Sequence, residues 1–148
     1  MRYRIITILF SCLLITSFGF AQEVGTWKIL SGKKVILAGV DEDSSKNTIL
    51  LKKADLSNNN FFKIEFTEPK NSVTKGWVRT VALMDTVSTV IVQRDSTSSI
   101  QLYNRDMLKI LWSRKKVHIY TWAAPADPGM AAAVRIKRIL LSTLVLAD

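Results

Sequence analysis

The chain has 148 residues, 48% of them hydrophobic, and its 21 basic and 12 acidic residues leave a formal charge of +9. That length is one domain's worth and buries a core without metal or disulfide staples. One cysteine (Cys12) and one histidine (His118) rule out a disulfide framework and argue against a zinc site of the usual nitrogen and sulfur ligands.

The chain opens with Arg2 and Arg4, an apolar run from Ile5 to Leu14, and small residues at Phe20-Ala21-Gln22. This order predicts a cleaved secretory signal over residues 1–21, too short for a stable membrane span. Leu9-Phe10-Ser11-Cys12 loosely resembles a bacterial lipoprotein box, which would make Cys12 lipidated. Bulky Phe10 and the short preceding apolar stretch depart from that pattern, and an ordinary signal is preferred. Cleavage would leave residues 22–148 as a single β-rich domain with no cysteine. Its charge would be +7, from 19 basic and 12 acidic residues. The expected location is periplasmic, cell-surface or extracellular, with no transmembrane span in the mature chain.

In chain order, residues 26–30 and 34–40 read as strands joined by Ser31-Gly32-Lys33. A polar loop over 41–47 precedes a strand at 48–52. Over 61–67, Phe62, Ile64 and Phe66 alternate with Lys63, Glu65 and Thr67, the signature of a half-buried strand. Residues 77–84, 87–93 and 100–103 are further strands. Leu108, Leu111 and Trp112 fall at i, i+3 and i+4, so 105–113 reads as a short amphipathic helix with Asn104 as its N-cap. Residues 117–122 form a strand, Asp127-Pro128-Gly129 a turn and Met130–Ala133 one helical turn. Residues 134–147 read as a strand that becomes apolar on both faces, with a helix over 128–141 as the rival. Eight or nine short strands in this order predict two packed antiparallel sheets, a β-sandwich, with a small antiparallel barrel as the alternative.

Few residues carry chemistry. His118, Tyr120 and Trp122 share one strand face, and Trp122 stands near a sheet end where it could line a loop-formed pocket. Arg114-Lys115-Lys116 and Arg135, Lys137 and Arg138 are two basic groups that could hold phosphate or carboxylate if they converge. Trp27, Trp77, Trp112 and Trp122 are each expected mainly in the core, although exposed indoles stack on sugars. Asp41, Asp43 and Ser45 could converge on calcium. The EF-hand pattern fails there, since Lys46 and Lys52 replace its glycine and glutamate. Asp85, Asp95 and Asp106 are turn carboxylates that could pair for glycoside hydrolysis.

The combined expectation is a small exported, non-enzymatic binding or structural domain of the cell envelope. It would contact a glycan, an anionic envelope component or another exported protein, through Trp122, His118, Tyr120, Arg135, Lys137 and Arg138. No cofactor, metal or nucleic acid is expected. The alternative is a small hydrolase that uses His118 or a carboxylate pair.

Overall fold

A computed structural model describes residues 25–40 and 46–147. The predicted signal, Cys12 and the Asp41–Ser45 loop lie outside the described residues. Two open sheets pack face to face as a β-sandwich-like fold. One has the order β2-β1-β4-β7 and the other β3-β9-β8-β5-β6. The strands are β1 (Thr26–Ser31), β2 (Lys34–Gly39), β3 (Thr48–Leu51), β4 (Phe61–Thr67), β5 (Val78–Met84), β6 (Val90–Asp95), β7 (Ser99–Tyr103), β8 (Lys116–Ala124) and β9 (Ile139–Leu146). Helix α1 (Asn104–Arg114) links the sheets, and α2 (Pro128–Ala133) follows β8. Both sheets end on unclosed edge strands, so the fold is not a barrel.

Period-2 patterning explains the layers. Trp27 and Ile29 of β1 and Phe62, Ile64 and Phe66 of β4 are buried between the sheets. Lys28 and Glu65 are directly opposite on the outer face and form an ion pair at 2.8 Å. That pair and a second to Lys63 hold the Glu65 carboxyl below its ordinary pKa of 4.5. The core is completed by Leu83, Ile100, Ile119 and Leu144 from the strands and by Leu56, Met107 and Leu111 from the helical segments. Between β1 and β2, Gly32 takes φ +59°, a conformation open to glycine, and a Cβ there would come within 3.2 Å of the Asn60 side chain.

Several expectations are corrected. The five-stranded sheet is mixed, because β3 runs parallel to β9. The pairing is anchored by Asn47, whose carbonyl accepts from Thr143 N at 3.0 Å and from Ser142 Oγ at 2.6 Å. The strand expected from residue 134 begins only at Ile139. Pairing of β8 with β9 stops at Thr121 opposite Ile139, so 134–138 has no partner strand. The helical rival is confined to α2, which is capped by Asp127 Oδ1 accepting from Met130 N at 2.8 Å. Within β9, Leu141–Leu144 are buried on both faces, as the apolar pattern predicts for a covered strand. Strand β6 starts three residues late because Asp85 Oδ1 accepts from Val87 N and Thr89 N and turns the chain there. A 3-10 turn, Lys53–Leu56, was not expected from the sequence.

Asn104 is not the N-cap, a place taken by Tyr103. It is fully buried and donates to Ser31 Oγ at 3.0 Å and Asn58 Oδ1 at 2.6 Å, tying α1 to β1. At the other end of α1, Lys115 N donates to the Leu111 carbonyl at 2.7 Å with φ +62° and ψ −37°. An L-residue is strained there and glycine is not. Lys115→Gly is therefore expected to stabilise the fold by about 1 kcal/mol, read as a higher midpoint in urea.

Candidate functional site

Strand β8 alternates by burial along its whole length. Val117, Ile119 and Thr121 point into the sandwich, and His118, Tyr120 and Trp122 form a half-buried row on the outer face. That shared face is the one expected from the sequence. Beside the row on the same face, Thr80, Ala82 and Met84 of β5 lie opposite Trp122, Tyr120 and His118 and are themselves buried.

The two ends of the row differ. At the Trp122 end the unpaired 134–138 segment returns over the sheet, and the Arg138 guanidinium lies 5.2 Å from the Trp122 ring centroid. Arg135, Ile136, Lys137 and Arg138 line a depression of about 510 Å³. Arg135 and Arg138 are exposed there. The reason is the failed pairing described above. With no neighbouring strand, the 134–138 segment leaves Arg135 and Arg138 exposed, and Arg138 folds back on the indole. This constellation supplies guanidinium donors suited to carboxylate or phosphate, with the half-buried Trp122 ring packed against Arg138.

At the other end, His118 Nδ1 and Thr143 Oγ1 are 3.0 Å apart, and the imidazole meets Tyr120 edge-on with centroids 6.2 Å apart. His118 lies about 13 Å along the strand from Trp122, so it does not share the Arg138 site. Burial, reinforced by the Lys116 charge, holds the imidazole below its ordinary pKa of 6.5. The unfolded chain therefore takes up this proton at higher pH than the folded one. The stabilising effect is complete above pH 6.5 and is lost as pH falls below it. The thermal midpoint is expected to drop on acidification between pH 6.5 and 4.5, before Glu65 begins to contribute, and His118→Gln is expected to flatten that slope.

The residues of the hydrolase alternative lie apart from one another, each with a partner of its own. Among the described residues the imidazole of His118 is held by the Thr143 hydroxyl, where a general base of the triad kind is oriented by a carboxylate or amide. Asp95 takes Thr80 Oγ1 at 2.7 Å, and Asp85 closes the β5–β6 turn. They sit at opposite ends of that strand pair, about 16 Å apart, beyond the spacing glycosidases use. Asp106, on the first turn of α1, pairs with Lys109 at 3.5 Å. Among the described residues, no three His, Cys, Asp or Glu side chains gather as a metal site.

The two basic groups do not converge. Lys116 begins β8 and Trp122 lies six residues on, about 20 Å away, with Arg138 at the Trp122 end. The expectation of core tryptophans holds for Trp27 alone. Trp77 and Trp122 are half-buried, and Trp112 is 59% exposed. The buried stripe of α1 is Asn104, Met107 and Leu111, which turns Trp112 outward. Its neighbours Lys53 and Lys115 form a second aromatic and cationic surface that the sequence pattern did not reveal.

Comparison with protein-family models, curated proteins and solved structures finds no match for this chain.

Proposed function

We propose that this chain is a non-enzymatic binding domain exported to the cell envelope, and that the Trp122–Arg138 surface holds a saccharide bearing carboxylate or phosphate groups. Export rests on the residue order of Met1–Gln22. The binding role rests on one observation above all, the Arg138 guanidinium held over the Trp122 indole beside Arg135. A guanidinium resting on a ring keeps its N–H fork free for a bidentate anion, and the ring edge offers an apolar surface to a sugar. The rigid sheet beneath, with Thr80 buried opposite Trp122, fixes the indole before any ligand arrives.

Saccharide is favoured over a protein partner because the depression is lined by one short run of chain, residues 135–138. Neutral glycans fit less well, since the site's donors are cationic. The test is a thermal-shift screen with an oligouronate, its carboxyl-reduced counterpart and a sugar phosphate. The anionic ligands are expected to raise the midpoint of the wild-type chain and to leave Arg138→Glu unmoved. A shift by the neutral ligand of the same size would remove the anionic reading.

A further inference from the structure

The end of α1 has a surface unlike the rest of the molecule. Met107 and Leu111 are fully buried on one side of the helix, and Trp112 stands exposed on another. Two ammonium groups lie over its ring. Lys53 Nζ, from the 3-10 turn, is 5.5 Å from the centroid, and Lys115 Nζ, from the strained helix end, is 5.0 Å from it. Trp112, Leu108, Lys53, Lys109 and Ser113 line a shallow depression of about 320 Å³. The one acidic residue of the helix, Asp106, is paired with Lys109.

From this geometry we infer that the Trp112 patch docks the domain on an anionic lipid bilayer. The warrant is complementarity of two kinds in one place. An exposed indole is amphipathic and settles at the headgroup level, where its ring is buried and its N–H stays wet. Lysines on flexible stems around it are point charges that suit the diffuse negative charge of a membrane surface, in contrast to the guanidinium fork at Trp122. An anionic saccharide is a poorer fit, because ammonium point charges lack the planar fork that grips a single carboxylate or phosphate bidentately. Lys115 adds a further sign, since it keeps a charge over Trp112 at the cost of a backbone conformation that glycine would relieve. The patch adjoins the Lys116 end of β8, so a docked domain leaves the Trp122 end free.

The experiment is co-sedimentation of the exported chain, residues 22–148, with vesicles of phosphatidylcholine alone and with added phosphatidylglycerol. Binding is expected to depend on phosphatidylglycerol and to weaken with salt. Lys53→Glu and Lys115→Gly should each lower that affinity by about fivefold or more. Trp112→Ala should lower it by about tenfold. Lys115→Gly is the safeguard against misfolding, because it is expected to bind less while unfolding at higher urea. Arg138→Glu should retain vesicle binding, which separates this surface from the saccharide site. Equal binding to both vesicles, or phosphatidylglycerol-dependent binding undiminished in the Trp112 and Lys53 variants, would overturn the inference.

Discussion

Arg138→Glu is expected to lower affinity for an oligouronate at least about 100-fold, the largest functional effect in this molecule. A charged hydrogen bond from the guanidinium to a carboxylate contributes about 1.5–3 kcal/mol, and reversal replaces it with repulsion. The change should leave the fold intact. Arg138 is exposed and lies in the 134–138 segment outside both sheets, against the Trp122 ring. Trp122→Ala should weaken binding too but cost stability as well, since that side chain is half-buried beside Thr80. Isothermal titration of both variants, alongside their midpoints in urea, separates the two effects. An Arg138→Glu protein that unfolds early would mean that Arg138 is structural rather than ligand-binding.

Leu111→Ala is expected to destabilise the fold by about 3–4 kcal/mol, read by urea denaturation as a lower midpoint at unchanged slope. Leu111 is fully buried in the central core, and its carbonyl accepts the Lys115 N–H that ends the helix. Truncation therefore leaves a cavity where α1 meets the core strands and loosens the segment that carries Trp112 and Lys115. The neighbouring Trp112→Ala should cost much less, because an indole this exposed buries little area. The ratio of the two effects measures how completely α1 divides into a core face and a surface face.

How much of this was legible in the sequence follows from the range of each signal. Strand β4 shows itself in Phe62, Ile64 and Phe66, because the side-chain period of a strand is local and two residues long. The same period placed His118, Tyr120 and Trp122 on one face, and export of the basic groups to the surface follows from their charge. The parallel pairing of β3 with β9 was hidden, since its anchor joins Asn47 to Ser142 and Thr143 and no local pattern encodes direction across such a span. Residues 134–138 alternate like a strand, but a strand also needs a neighbour, and β8 pairs no further than Thr121 in that direction. On α1 the apolar spacing identified the helix and misjudged its rotation. Trp112 stands about 100° around the axis from Leu111, so centring the buried stripe on Met107 and Leu111 moves the indole into solvent. Arg138 meeting Trp122 is likewise a product of the loop's return path. Sequence alone could name both residues but not their contact.

The most direct test of the anionic-saccharide account is a calorimetric titration of the intact chain with an oligouronate and with its carboxyl-reduced counterpart. The account predicts saturable binding of the charged ligand, no measurable heat from the neutral one, and loss of the first in Arg138→Glu. Equal heats from both ligands, or oligouronate binding that survives Arg138→Glu unchanged, would contradict it.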